Sequence, residues 1–175
     1  LRLCAHHYAQ RSPSGQQLLD GGGMGLGLEW QSFPFEATLE AGRGLHLNKR
    51  GYVWVDGQYR LNQNWKLSGS FKVNSDETPL RALKVGVYAN QLSAAAQYSN
   101  SALFNAGVSY SLMDLSDHNK RHSLGVWLSK DLLTHDRWRL NAGLSGSATR
   151  NKTIQTADYH NPKRDQSASA QTQLS

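Results

Sequence analysis

Apolar and polar residues alternate along most of the chain with the period of two that is typical of β-strands. In residues 24–30, MGLGLEW, methionine, leucine or tryptophan stands at every second position, with glycine or glutamate between them. The same pattern recurs in FEATLEA, YVWVDGQYRL, WKLSGSFKV, RALKVGVYA, LSAAAQY, FNAGVSYSL, SLGVWLS, WRLNAGLSGSA and SASAQTQL. The alternation therefore predicts an all-β protein of about ten strands.

The surroundings of the apolar face decide between a soluble β-sandwich and a membrane β-barrel, because both folds alternate. Aromatic residues gather near predicted strand ends on the apolar side, as in the girdles of a membrane interface. They are Trp30, Phe35, Tyr59, Trp65, Tyr98, Phe104, Tyr110 and Trp138. Short turns such as NQN also alternate with longer charged ones such as MDLSDHNKRH, as in barrels with short periplasmic turns and longer outer loops. Both features favour an antiparallel transmembrane β-barrel.

Composition removes several other classes of protein. The mean hydropathy is -0.60, and no run approaches the roughly 20 apolar residues of a membrane helix, which excludes a helical membrane protein but suits a barrel. Cys4 is the single cysteine, so an internal disulfide cannot form. The net charge of +6 is spread along the chain without a nucleic-acid-binding motif, and we expect no nucleic acid partner.

Catalytic and metal-binding patterns are weak in this sequence. Glu36 and Glu40 lie on one predicted strand about 13 Å apart, which is wider than either carboxylate geometry of glycosidases. His118 and His122 fall in a predicted loop, where a metal would need further ligands. No glycine-rich phosphate loop opens a helix. We therefore expect no enzymatic activity, no bound metal and no cofactor.

Three short sequences carry a resemblance to a family of bacterial proteins. They are TPLRA at 78–82, LSDHNKR at 115–121 and DYHNPKRD at 158–165, within a similarity that runs from about Met24 to the end. This part resembles the C-terminal barrel of the outer-membrane exporters of poly-β-1,6-N-acetylglucosamine, a biofilm polysaccharide. Cellulose exporters, which also join helical repeats to a barrel, are the nearest family with which it could be confused.

The resemblance implies a 16-stranded barrel in the bacterial outer membrane, preceded by a periplasmic domain of tetratricopeptide repeats. About ten strands are found here, no repeat of 34 residues is present, and the chain ends at Leu174 and Ser175 without a terminal aromatic residue, so we expect an incomplete barrel. Residues 1–23 are then an N-terminal loop or the remnant of a first strand, and residues 24–175 are the barrel segment. The implied partners are the secreted polysaccharide, outer-membrane lipid and, through the repeat domain, a periplasmic polysaccharide deacetylase.

If the apolar face meets lipid, the polar face lines the lumen. Four acidic residues would project inward, where they could attract the ammonium groups of deacetylated glucosamine: Glu29, Glu36, Glu40 and Asp56. Three aromatic residues would offer flat surfaces to sugar rings: Trp54, Tyr88 and Trp127. In the alternative interpretation, the rings pack against an inward-folded loop, and the acids pair with Arg60, Lys66, Lys72, Lys84 or Arg139. A register slip of one residue would move every such side chain to the other face.

The function expected from these observations is passive conduction. The chain would form part of an outer-membrane pore for export of partly deacetylated poly-β-1,6-N-acetylglucosamine through a polar, acidic lumen. The alternatives are another porin, such as a cellulose-type exporter, and a soluble β-rich carbohydrate-binding module. The motif DYHNPKRD is interpreted as a loop end, in which Asn161 and Pro162 turn the chain before a strand that begins at Ser167.

Overall fold

The computed structural model describes the backbone of residues 2–11, 18–46, 49–100, 104–135, 138–152 and 162–174. It describes the side chains of residues 3–5, 22–45, 49–100, 104–133, 140–152 and 162–173. Ten strands form most of this part: β1 (Arg2–Arg11), β2 (Leu18–Ser32), β3 (Phe35–His46), β4 (Gly51–Arg60), β5 (Trp65–Val73), β6 (Ala89–Asn100), β7 (Phe104–Leu115), β8 (Lys120–His135), β9 (Trp138–Asn151) and β10 (Arg164–Leu174). A short helix, α1 (Leu80–Lys84), lies between β5 and β6.

Each strand pairs antiparallel with its neighbours in sequence, so the strands form one sheet in the order β1 to β10. This up-and-down order follows from the short connections, which allow successive strands to pair directly. The all-β antiparallel fold predicted from the alternation is confirmed. No helix in the described part of the chain is long and apolar enough to span a membrane.

The outer face of the sheet is the apolar face. In β4, Tyr52 and Trp54 are buried on the inner face, whereas Val53 and Val55 are each 41% exposed on the outer face. The other strands carry exposed aliphatic and aromatic residues on the same outer face, among them Leu26, Leu28, Leu39, Leu67, Phe71, Leu92, Val108, Leu124, Val126 and Leu144. Soluble monomers rarely expose so extensive an apolar surface, and this one therefore suits contact with lipid.

The two ends of the sheet differ in the length of their connections. At the short-turn end, the strands are joined by residues 33–34, 61–64, 101–103 and 136–137. At the long-loop end, they are joined by residues 12–17, 47–50, 74–88, 116–119 and 152–163. The predicted long charged loop around residues 113–122 is shorter in the structure, because β7 and β8 extend into it and leave a turn at 116–119.

Aromatic rings cluster on the outer face at the short-turn end. The ring centroids of Trp30 and Phe35 are 5.8 Å apart. Tyr98 lies between Trp65, at 5.2 Å, and Phe104, at 5.3 Å. Such a belt is typical of the membrane–water interface. The side chain of Trp138, which was predicted to belong to this belt, lies outside the described residues.

Three strand assignments made from the sequence need correction or comment. The strand predicted in RALKVGVYA is wrong, because α1 and the loop that follows it occupy this segment. A strand that was not counted, β1 (Arg2–Arg11), lies within residues 1–23, and β2 begins at Leu18 rather than Met24. Finally, β10 begins at Arg164, before the predicted start at Ser167. Asn161, which was predicted to lie in the turn before this strand, is outside the described residues.

Candidate functional site on the inner face

Polar side chains on the inner face line an open groove of about 630 Å³. Glu29 on β2 and Ser147 on β9 line the same space, although six strands lie between β2 and β9 in the sheet. The sheet therefore curves around the groove. A concave polar face opposite an apolar outer face is the arrangement of a barrel wall with an aqueous interior.

Strand register places the inner residues of the groove in two level rows. One row runs through Glu29, Thr38, Asp56, Ser70, Ser93, Ser111 and Ser123. The next row towards the short-turn end runs through Glu36, Gln58, Ser68, Ala95, Ser109, Gly125 and Ser147. The acids lie on β2–β4 and the serines on β5–β9. We call Glu29, Glu36 and Asp56 the acidic wall, and Ser70, Ser93, Ser111, Ser123 and Ser147 the serine wall.

Glutamine amides donate to two carboxylates of the acidic wall. Gln31 Nε2 donates to Glu29 Oε1 at 2.8 Å, and Gln58 Nε2 donates to Glu36 Oε2. An amide donor leaves the negative charge of the carboxylate uncompensated, whereas a paired cation would neutralise it. Glu29 and Glu36 are thus held in place without an ion pair among the described residues.

The connection between β5 and β6, residues 74–88, folds onto the inner face; we call it the inner loop. Lys72 Nζ on β5 lies 3.0 Å from Asp76 Oδ1 and 3.7 Å from Glu77 Oε1. Ser75 Oγ donates to Gln91 Oε1 at 2.6 Å, and Gln91 Nε2 donates to Glu77 Oε2 at 2.8 Å. Because Lys72 and Gln91 are inner residues of β5 and β6, these contacts fix the start of the loop to the wall.

Helix α1 holds the rest of the inner loop through apolar packing. Ala82 is fully buried against Ala89, Met113 and Leu115, which lie at the long-loop ends of β6 and β7. The helix begins after Pro79, and Gly86 with φ +80° follows its last turn. Glycine adopts this left-handed backbone without strain, which allows the chain to turn back towards β6.

Two of the predicted lumen residues, Glu40 and Trp54, lie on the inner face but are buried, with exposures of 4% and 7%. Tyr52 Oη donates to Glu40 Oε1 at 2.8 Å, and the Tyr52 ring stacks on Trp54 with centroids 4.4 Å apart. Lys72 Nζ lies 5.2 Å from the Trp54 ring centre and 3.0 Å from Asp76 of the inner loop. The Trp54 ring thus lies beside Lys72, which in turn pairs with the inner loop.

The other two predicted aromatic residues occupy different positions. Tyr88 lies in the inner loop rather than on a strand, and the Arg50 guanidinium carbon is 3.7 Å from its ring centre. Trp127 lies on the inner face of β8 directly opposite Gly107 of β7, and its indole covers that glycine. Glu29, Glu36 and Asp56 share the groove, whereas Glu40, Trp54, Tyr88 and Trp127 do not line it.

Sequence reasoning missed Glu77, which lines the groove from the inner loop. Nothing in the alternation shows that the loop around Glu77 folds inward. Lys72 was considered a partner for the acidic residues of the strands, but it forms ion pairs with Asp76 and Glu77 of the inner loop. The side chain of Arg139 lies outside the described residues.

Within the described ranges, no three His, Cys, Asp or Glu side chains are close enough to hold a metal ion. The groove itself is lined mainly by carboxylates, amides and hydroxyl groups. Serine hydroxyls hydrogen-bond across the strands, with Ser145 and Ser169 at 2.7 Å and Ser147 and Ser167 also at 2.7 Å. Carboxylates attract cations, and hydroxyl groups exchange hydrogen bonds with water or sugars.

Together, the apolar outer face, the aromatic belt and the polar groove define a membrane β-barrel wall. The family model of the PgaA membrane beta barrel domain matches residues 8–175, and the chain belongs to this family. It is a domain of the bacterial outer membrane. The alternative of a soluble carbohydrate-binding module is thereby removed.

Known proteins of this kind show similarity over part of their length. The chain is 31% identical over 102 residues to the poly-beta-1,6-N-acetyl-D-glucosamine export proteins of Escherichia coli K12 and O157:H7. These residues are 57% of this chain and 12% of each relative. A solved bacterial polysaccharide outer membrane secretin has the same fold, with a TM-score of 0.75 and 24% identity over 84% of this chain and 50% of that one.

Proposed function

We propose that the chain forms part of an outer-membrane pore that exports partly deacetylated poly-β-1,6-N-acetylglucosamine. The observation that carries the proposal is the acidic wall, which lines a polar groove opposite the serine wall. Deacetylated glucosamine units carry ammonium groups, which the carboxylates of Glu29 and Glu36, held by glutamine amides, would attract. The names of the Escherichia coli relatives supply the class of polymer.

The groove suits transport because its contacts are shallow. Conduction needs binding that is favourable enough for entry and weak enough at many sites for release. Carboxylates in a water-filled groove contribute little individually, about 0.2–1 kcal/mol per ion pair. The serine wall offers hydroxyl groups at many equivalent positions, so a sliding polymer can exchange one hydrogen bond for the next. The role is transport, and no covalent step is required.

Glu40 and Trp54 join the proposed path only if the inner loop moves. Both are buried on the inner face, and Trp54 lies beside Lys72, which pairs with Asp76 of the inner loop. Trp127 is more accessible, and its ring stands one row closer to the short-turn end than Ser147. In this proposal, the Trp127 ring is a surface over which sugar rings slide. Tyr88 lies at the other end of the path, the long-loop end.

The proposal extends to two further partners. Outer-membrane lipid would solvate the apolar outer face, and a periplasmic deacetylase would supply polymer through a repeat domain. The chain matches 12% of the length of its curated relatives. Both partners are therefore proposed for the full-length protein.

The test is the triple isosteric variant Glu29→Gln, Glu36→Gln and Asp56→Asn in the full-length protein. Removal of three weak attractions, about 0.2–1 kcal/mol each, should lower export of partly deacetylated polymer about three- to hundredfold. Export would be measured as secreted polymer per assembled pore. Asp114→Asn is the control, because Asp114 pairs with Lys120 at 3.5 Å outside the groove and its loss should leave export unchanged.

The neutral polymer separates the possible outcomes. In cells that lack the deacetylase, the polymer is neutral, and the triple variant and the wild type should export the same residual amount of it. If the triple variant exports partly deacetylated polymer at the wild-type rate, the acidic path is refuted. Efficient secretion of cellulose through the pore would instead favour the cellulose-type exporter.

A further inference from the structure

A row of two arginines and a histidine crosses the outer face at the long-loop end. His122 of β8 pairs in register with Arg150 of β9, and Arg150 pairs with Arg164 of β10. All three are exposed. Residues directly opposite on neighbouring strands have Cβ atoms about 4.5–5.5 Å apart, so the two guanidinium groups and the imidazole share one small area.

No carboxylate neutralises the two arginines among the described residues. Asp165 follows Arg164 on β10 but belongs to the inner face, and Asp114, on the outer face of β7, pairs with Lys120 at 3.5 Å. Like charges directly opposite on a sheet destabilise it. An anion bound between Arg150 and Arg164 would remove this repulsion, and guanidinium forks match phosphate oxygens well.

An apolar groove continues from these cations down the outer face. A hollow of about 300 Å³ is lined by Tyr110, His122, Leu124, Ala148, Arg150 and Arg164. A second hollow of about 450 Å³ shares Leu124 and Ala148 and extends along Val126, Gly146 and Ala168. The small side chains of β9 and β10 make this strip lower than its leucine and valine border, which is the shape that an extended acyl chain fills.

Tyr110 fixes the histidine at the upper edge of the groove. Tyr110 Oη and His122 Nδ1 share a hydrogen bond of 2.7 Å. When the phenol donates this bond, the neutral ring carries its proton on Nε2, which can then donate to an anion. A hydrogen-bonding donor thus joins the two guanidinium groups.

We propose that this strip, from His122, Arg150 and Arg164 to Ala168, binds a phosphorylated, acylated glycolipid of the outer leaflet. The cations would hold a headgroup phosphate, and an acyl chain would lie along the small residues of β9 and β10. The position fits this leaflet because long loops of outer-membrane barrels face outward. The inference is independent of the polymer path, since it concerns the opposite face of the sheet.

The experiment measures binding of fluorescent bisphosphorylated lipid A to the full-length protein in dodecyl maltoside micelles, with lipid A lacking phosphate as the comparison. The wild type should prefer the phosphorylated lipid about thirtyfold or more. In the double variant Arg150→Gln and Arg164→Gln, that preference should fall about ten- to thirtyfold, because each juxtamembrane cation contributes about 1 kcal/mol to such binding. Arg150→Lys with Arg164→Lys should retain part of it.

Two controls keep the outcomes distinguishable. The charge-matched variant Lys49→Gln and Lys130→Gln should bind as the wild type does, and heat-modifiable migration should show that every variant is assembled. Ala148→Trp, which fills the groove, should weaken lipid binding without loss of the arginines. Equal binding by the arginine variant and the wild type would overturn the proposal. Full displacement of the lipid by millimolar inorganic phosphate would also overturn it, since the site would then be one for free anions.

Discussion

At the residue scale, glycine positions decide where aromatic rings can lie on the inner face. Gly107 stands directly opposite Trp127, and the indole lies across the place that a side chain at residue 107 would occupy. Rings that cover a cross-strand glycine compensate for its missing side chain. The pair is visible only when the register is known, because the two residues are distant in sequence.

Gly107→Ala should therefore displace the Trp127 ring. A Cβ at residue 107 would overlap the indole, and such overpacking costs about 1–3 kcal/mol. The measurements are the free energy of unfolding in detergent and the near-ultraviolet circular dichroism of the tryptophans. Gly69→Ala is the matched control, since its Cβ would meet nothing closer than the Ser93 carbonyl oxygen at 3.5 Å. Equal stability of the two variants would show that Trp127 does not rest on Gly107.

At the element scale, the inner loop is the part that alternation could not reveal. RALKVGVYA fits a period of two, yet Arg, Ala, Leu and Lys are strong helix formers, and Pro79 precedes them as it often precedes a helix. That local signal favoured α1. The loop folds inward because Ala82 packs against Met113 and Leu115. Such a tertiary contact has no signature in a single sequence.

Ala82→Asp should release the inner loop from the wall. A carboxylate at this fully buried position would lack a partner, at a cost of about 3 kcal/mol or more, and the loop can avoid that cost by leaving the wall. Single-channel conductance in planar bilayers should rise. Arg81→Asp changes the exposed neighbour on the same helix and should leave the conductance near the wild-type value. An assembled Ala82→Asp pore with unchanged conductance would argue against the loop as a constriction.

At the scale of the whole molecule, the two faces of the sheet are suited to different solvents. The sequence predicted both faces well, because alternation depends only on neighbouring positions, and Glu29, Glu36 and Asp56 lie on the inner face in the structure. It could not predict the burial of Glu40, whose carboxylate accepts a hydrogen bond from Tyr52. Long-range packing, rather than strand pattern, sets that difference.

A pair of adjacent substitutions on β3 should distinguish the two solvents. Leu39→Arg places a cation on the outer face, where Leu39 is 43% exposed, at a cost of about 2–4 kcal/mol near the bilayer midplane. Thr38→Arg places it on the inner face between Glu29 and Asp56, where it should be tolerated. The free energy of unfolding from lipid bilayers measures both. If Thr38→Arg were the more damaging change, the assignment of the faces would be reversed.

The up-and-down strand order makes the wall modular. Because each strand contacts its sequence neighbours, one hairpin can be added or removed without changing the pairing of the others. Each hairpin adds about 10 Å to the circumference, since neighbouring strands are about 4.8 Å apart. The girth of such a pore and the chemistry of its interior can therefore vary separately during evolution, the first through the number of hairpins and the second through single inward-facing residues.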